Sequence, residues 1–447
     1  MFRTDKMGRI PEAILAVFML AAAWILSGLM PDADLPLRLL LTLALPVLTA
    51  AAVLLSGVSR RDLWLIMAVL TGILLLLRLI WFPVETTDYT DFLRPWTNWY
   101  STHGGLKALG RNVGNYNVPY LVFLALFSYW DVPVLYLIKL LSTVFDLVLA
   151  VTICRIVVCL TGSEKRGTAA FALALALPTV FINGSVWGQC DSIYISLALL
   201  ALYLTLDRRP WAGMICLGFS FAFKLQAVFL IPVFFACLLC GKLKLRHIPL
   251  FPAAYALAVS PAILAGRPVS DVLLFYFKTA STVGDGLNYN SPSMYALKCF
   301  WYVQDPEKAA KLGVLLALIL CLLFAAVFLL RRNKIDDRSI LFAALLLTCG
   351  IPLLLPHMHD RYFYFCDMLT LITAFVVPWT ALFVLFSQFA SLLGYYAYFT
   401  MRYLLPMRYG FWVLVPVAVC SALLCCLRLW RRDAPPTARC PDEPGKA

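Results

Sequence analysis

Apolar stretches of about 18 residues or more recur from near residue 13 to near residue 430. Each is long enough to cross a hydrocarbon core of ~30 Å as a helix. The chain is therefore expected to be an all-α integral membrane protein, held by the lipid bilayer. With 62% of residues hydrophobic and 14% charged, a soluble globular protein is excluded. The net charge of +13 speaks of orientation, because Lys and Arg collect in short cytoplasmic loops. No basic stripe carries a DNA- or RNA-binding motif, so no nucleic-acid partner is expected. Cysteines such as Cys154, Cys216 and Cys237 lie inside apolar runs and read as small membrane-buried side chains, not a disulfide framework or zinc site.

The basic loops fix the expected topology. Arg3, Lys6 and Arg9 precede a first apolar run that is too long for a signal peptide and is followed by further spans, so it reads as an uncleaved span with an inner N-terminus. Arg60 and Arg61, Lys165 and Arg166, Arg208 and Arg209, Lys242, Lys244 and Arg246, Arg331 and Arg332, and Arg431 and Arg432 mark the same side at later turns. About fourteen spans result, with both termini cytoplasmic. Residues 211–240 read as two short helices meeting on the outside at Lys224. Two long outer loops follow, at 85–119 and 267–311, the first carrying an interfacial apolar segment from Tyr120 to Trp130. Residues 1–430 form one polytopic domain; 431–447 are a Pro-rich tail expected to be disordered.

On this topology the unusual polar residues fall on the outer side: Asp88 and Asp91, Asn115 and Tyr116, Gln189 and Asp191, Lys224 and Gln226, Asn288 and Asn290, and His357, His359, Asp360 and Arg361. A charge in the apolar bilayer costs roughly 2.5–3.5 kcal/mol by insertion scales, so such residues usually face a cavity. Their convergence on one leaflet implies one outward site. Each has a plainer alternative. Asp88 or Asp91 can cap the helix that begins near Asp91, and Trp99 and Tyr100 suit an interfacial aromatic belt. Arg361 can anchor a span end. Lys224 can snorkel, although the nearby Gln226 favours a polar cavity. Asp146 and Arg155 are nine apart in one span, and Asp146 is read as structural.

This inventory points to a reaction. Neither G-x-x-x-x-G-K-[ST] nor G-x-G-x-x-G is present, which leaves a nucleotide substrate unsupported. His357 and His359 lack the spacing of H-E-x-x-H and a further histidine, so no metal or cofactor is expected. A glycosidase needs two carboxylates because its leaving oxygen must be protonated. A sugar carried on phosphate differs: the phosphate leaves as an anion and needs cations, and one general base suffices to activate the acceptor hydroxyl.

The blocks TDYTDFLRPW (87–96) and NYNVPYL (115–121) resemble the first outer loop of GT-C-fold glycosyltransferases that use polyprenyl-phosphate sugars. The similarity is to bacterial relatives of the GPI-anchor mannosyltransferase, and also to the dolichol-dependent glucosyltransferases. Their G-D-Y is Thr87-Asp88-Tyr89 here, and their Y-P-P-L is the looser Tyr116-Asn117-Val118-Pro119. WGQCDSIY (187–194), FKLQA (223–227), NSPSMYAL (290–297) and HMHDRYFYF (357–365) follow in the same order. In the last, Asp360 replaces a Glu of the relatives. The resemblance covers roughly residues 80–370. It implies a GT-C-type multi-span helical bundle with an outward, inverting, metal-independent site on a bacterial plasma membrane. Asp88 takes the place of the catalytic base. His357, His359, Arg361 and Lys224 fall where donor phosphate is bound. Tyr89, Asp91, Tyr116, Gln189, Asp191, Gln226, Asn290 and Asp360 become substrate-binding candidates. The implied partners are a polyprenyl-phosphate-linked hexose, mannose or glucose, and a glycan or glycolipid acceptor. A transporter or flippase for a lipid-linked sugar is the alternative, since buried charge also marks transport paths. Such proteins commonly show inverted repeats and a midplane site; this chain shows no evident repeat.

Overall fold

The computed structural model describes residues 10–280, 290–297 and 305–431, and every regular element among them is helical. The expectations for Asn288 and for the tail beyond Arg431 lie outside the described residues. Among the described residues nine helices are long and apolar enough to cross a membrane, ten if a bent pair counts as one. Four of the remaining apolar stretches form shorter helices, Asp191–Leu206, Pro210–Phe223, Leu225–Leu239 and Tyr364–Val376. Asp191–Leu206 and Tyr364–Val376 are buried along almost their whole length. A helix that is apolar all round and enclosed belongs to the interior of a bundle. Fourteen spans are expected from the sequence; four of those stretches are helices of 13 to 16 residues, shorter than the nine or ten that are long enough to cross. Val118–Phe127 is a further short apolar helix, in the segment between Arg61–Trp81 and Val134–Thr161.

Local chemistry sets the breaks. Val134–Thr161, with 28 residues, stops at Gly162, whose φ of 67° is the left-handed conformation that ends helices. Ser163 then accepts from the Arg166 N–H and caps Glu164–Ala176. Pro178 follows directly, and because proline can neither donate nor continue the preceding turn, the pair Glu164–Ala176 and Pro178–Trp187 bends by 51°. Lys224 is extended, with φ −154° and ψ 134°. It separates Pro210–Phe223 from the 3-10 turn Leu225–Phe229, which leaves its side chain at a helix end.

A buried ion pair fixes the bent pair to the core. Arg78 Nη1 lies 3.1 Å from Asp146 Oδ2, and both side chains are all but inaccessible. The same guanidinium donates to Ser185 Oγ at 2.8 Å and to the Leu175 carbonyl at 2.9 Å. Asp146 is therefore paired with Arg78, and Arg155 instead donates to the Leu55 carbonyl. Removing one member strands the other charge in the interior, at a cost of about 3–5 kcal/mol. Asp146→Ala is expected to lower the thermal unfolding temperature in detergent sharply, whereas the paired change Arg78→Met with Asp146→Leu should cost far less. A double variant as unstable as the single one would contradict this role.

The two ends of the bundle differ in charge. At one end Glu164 accepts from the Ser59 and Arg60 N–H groups, Lys242 pairs with Asp337, and Arg428 pairs with Asp336. The Lys/Arg loops collect there. At the other end Tyr398 meets Thr87 and Asp88, Tyr276 donates to the Phe221 carbonyl, and Gly110 abuts Ala265. Asp88, Gln189, Asp191, Lys224 and Arg361, singled out above, gather at that second end.

Candidate active site

Asp88 immediately precedes a π-helical turn, Tyr89–Leu93, and its side chain does not cap it. Its carboxylate is engaged elsewhere. Oδ2 accepts from the Trp187 indole N–H at 2.8 Å and from Gln189 Nε2 at 2.5 Å. Those donors flank Gly188, whose φ of 75° lets the chain reverse at the end of the π turn Ile182–Trp187. The reversal aims both side chains at one oxygen. Oδ1 has no hydrogen-bond partner among the described residues, and the side chain is 25% exposed. Trp187 stacks on Tyr398 at 3.9 Å, and the Tyr398 hydroxyl contacts Thr87 Oγ1 at 2.8 Å and accepts from the Asp88 N–H at 3.1 Å. One carboxylate oxygen is thus clamped while the other stays open.

Arg361 faces this carboxylate. Its Nη1 lies 3.9 Å from Asp88 Oδ2, its Nε lies 3.1 Å from Asp191 Oδ2, and its guanidinium sits 5.3 Å above the Trp187 ring. Asp191 is fully buried and is satisfied from several sides. Lys224 Nζ pairs closely with Oδ1, and Asn183 Nδ2 donates to Oδ2 at 3.0 Å. Lys224 Nζ also lies 5.2 Å from the Tyr362 ring centre and 5.4 Å from that of Tyr194. The Tyr116 hydroxyl donates to Gln189 Oε1 at 3.3 Å. Lys224, Asp191, Arg361 and Asp88 therefore form one alternating charge chain. Charge-assisted contacts of this kind are stronger than neutral ones, and the chain holds Arg361 in place beside an accessible carboxylate.

The loop that carries Arg361 is pressed against the helix Ala381–Thr400. A side chain at Gly394 would come within 2.7 Å of the Asp360 carbonyl. Asp360 is buried, its Oδ1 has no hydrogen bond, and the nearest cation to it is Arg361 Nη1 at 3.8 Å. Burial pushes its carboxyl up to about 6, Arg361 pulls the other way, and the charges of Asp88 and Asp191 add to the rise. A carboxyl whose folded value is raised is penalised only once it ionises. Its cost to stability is absent below about pH 4, grows through pH 4–6 and is complete above. About two units correspond to roughly 3 kcal/mol. Asp360→Asn is accordingly expected to raise the unfolding temperature at pH 7.5 and to match the parent at pH 4; an equal shift at both pH values would refute this.

Of the thirteen residues the sequence proposes for the site, Asp88, Tyr116, Gln189, Asp191, Lys224, Asp360 and Arg361 meet in this network. Tyr89 is buried and lies under Arg94. Asp91 is exposed and accepts from Thr90 Oγ1 at 2.9 Å. Gln226 is half-buried in the 3-10 turn after Lys224. Asn290 accepts from the Tyr403 hydroxyl. His357 adopts a left-handed φ of 59°, and His359 is exposed, edge-on to Tyr362 at 5.1 Å. No group of three or more His, Cys, Asp or Glu suited to a metal occurs among the described residues. The sequence reading overlooks Trp187 and Asn183, although both lie in or beside the WGQCD block. It also overlooks Tyr395, which accepts from Asn183 Nδ2 at 3.2 Å, and Tyr398. The cluster YYAY at 395–398 is the signal that could have found them, since hydroxyl-bearing rings are unusual in an otherwise apolar helix.

The model of glycosyltransferase family 87 matches residues 115–356, more than half of the chain. No curated protein and no solved structure matches it. The matched segment contains Tyr116, Gln189, Asp191 and Lys224; Asp88 lies before it and Arg361 just after it, and both fold back onto it. This polytopic helical chain belongs to glycosyltransferase family 87 and is a membrane glycosyltransferase of GT-C-like class.

Proposed function

We propose that the protein transfers a hexose, mannose or glucose, from a polyprenyl-phosphate carrier to a glycan or glycolipid acceptor on the non-cytoplasmic face, with inversion at the anomeric carbon. The observation that carries this reading is the opposition of Asp88 and Arg361. The open Oδ1 of Asp88 takes the proton of the acceptor hydroxyl as that oxygen attacks the anomeric carbon. The bond to the carrier breaks on the opposite face of the sugar, and Arg361 stabilises the charge that develops on the departing phosphate. The leaving group needs no proton, so a single carboxylate serves. Lys224, in contact with Asp191, acts mainly by holding Asp191 against Arg361. His357 and His359, on the same loop, border the side from which the phosphate enters.

Purified protein in sealed proteoliposomes, given polyprenyl-phosphate mannose or glucose and a glycolipid extract, should release polyprenyl phosphate in an acceptor-dependent way. Intact donor redistributed across the bilayer, with no carrier phosphate released, would favour a flippase instead. The orientation rests on the basic loops. A cysteine at exposed His103 should react with an impermeant maleimide on intact cells, and one at exposed Asn333 only after permeabilisation. The reverse pattern would place the site on the cytoplasmic face.

A further inference from the structure

The helices that present Asp191 and Lys224 at one end of the bundle present a second feature at the other. Asp191–Leu206 has 16 residues, which at 1.5 Å per residue is a length of about 24 Å. Beyond its far end, beside the start of Pro210–Phe223, lies a cavity of about 510 Å³ lined among others by Arg208, Trp211, Lys242, Lys244, Arg246 and His247. Lys242 is paired with Asp337 at 2.9 Å. Arg208, Lys244 and Arg246 have no carboxylate partner among the described residues. Cations gathered round one space repel each other until an anion enters it.

Arg208 is a notable choice at its position. It has a φ of 60°, and the next N–H, that of Arg209, bonds the Leu204 carbonyl at 2.7 Å. This is the helix-ending motif whose left-handed residue is most often glycine. An arginine here forgoes glycine's conformational ease and puts a guanidinium at the cavity. The surroundings are apolar as well as basic: Trp211 in the lining is exposed, and so are Leu245 and Ile248, which neighbour the lining residues Lys244, Arg246 and His247 in sequence. Basic pockets between membrane helices suit phosphate headgroups, and aromatic and long aliphatic side chains at that depth suit the first methylenes of an acyl chain.

We propose that this cavity binds the phosphate headgroup of an anionic phospholipid, with its chains against Trp211, Leu245 and Ile248. It lies at the opposite end of the bundle from Asp88 and is independent of the transfer reaction. A free phosphate ion would satisfy the cations but leave the apolar surroundings without a partner. The test uses full-length protein in phosphatidylcholine nanodiscs containing a minor fraction of phosphatidylglycerol brominated on its chains. The Trp211 signal, taken as the difference from Trp211→Phe, should be quenched several-fold more than by brominated phosphatidylcholine at the same fraction. Native mass spectra should show one retained phosphatidylglycerol. Arg208→Gly combined with Lys244→Gln should weaken that retention by about 30-fold, at roughly fivefold for each cation lost near the membrane surface. Glycine suits the left-handed cap, so Arg208→Gly alone, expected to give about fivefold, tests the site in a chain that folds. Equal quenching by the two brominated lipids, or undiminished retention in the variants, overturns the proposal. Displacement of the lipid by millimolar inorganic phosphate would make this a free-anion site and would equally overturn it.

Discussion

Asp88→Asn is expected to abolish most transfer while leaving the donor bound. The amide oxygen of asparagine can take the place of Oδ2 and accept from Trp187 and Gln189, as Oδ2 does at 2.8 and 2.5 Å. The shape of the site then survives, but an NH₂ group stands where Oδ1 was open and cannot take a proton. General-base assistance is worth about 10²–10⁴-fold in rate, so kcat at saturating donor and acceptor should fall in that range with little change in the donor KM. Asp91→Asn is the control. Asp91 is exposed and accepts from Thr90, and surface changes of that kind are usually within about 0.5 kcal/mol. EDTA should leave the parent rate unchanged, because the proposed step uses no metal. An inactive Asp91→Asn beside an active Asp88→Asn would mean that the base is the other carboxylate. Full activity in both would remove the general-base mechanism altogether.

Arg361→Ala should be the second most damaging change, through the leaving group. Deleting one donor aimed at developing negative charge typically costs about 10²–10³-fold. The fold should tolerate the loss, because Asp191 keeps Lys224 and Asn183 as partners. Free polyprenyl phosphate supplies a readout that a merely structural role would not move. It should inhibit the parent and inhibit Arg361→Ala far less. Arg361→Lys restores the charge but not the planar fork that spans two carboxylates and an incoming phosphate, so it should recover only part of the rate. If Arg361→Ala is inhibited by the free carrier as strongly as the parent, the guanidinium does not bind the phosphate.

Much of the architecture could be read from the sequence because a membrane simplifies the problem. Apolar length reports helices, and an apolar run without a soluble counterpart leaves few alternatives to a helical bundle. The break at Lys224 was legible for the same reason: a lysine in an apolar run needs a helix end or a cavity. The short enclosed helix Tyr364–Val376 was harder, because composition does not distinguish a lipid-facing helix from one surrounded by protein. At the site, the residue types pointed to a carboxylate and a cation, but no spacing rule brings Asp88 to Trp187 or Arg361 to Asp191. Those meetings depend on how whole helices pack. Asp88 and Asp91 look alike in sequence, but Asp88, just ahead of the π turn Tyr89–Leu93, meets Gln189, whereas Asp91, within that turn, stays exposed. Trp187 was masked by the abundance of aromatic residues. Tyr398 was masked by its position, in a helix beyond the blocks that carried the resemblance.

The distance along the chain between Asp88 and Arg361 has a consequence for biosynthesis. The carboxylate leaves the ribosome 273 residues (361 − 88) ahead of the arginine, and Tyr398, which bonds the Asp88 backbone, comes later still. A nascent chain halted anywhere before residue 361 has Asp88, the proposed base, without the Arg361 that faces it. On the proposed mechanism, partly inserted molecules are therefore expected to be inert, with activity appearing only once the chain has entered the bilayer beyond residue 361.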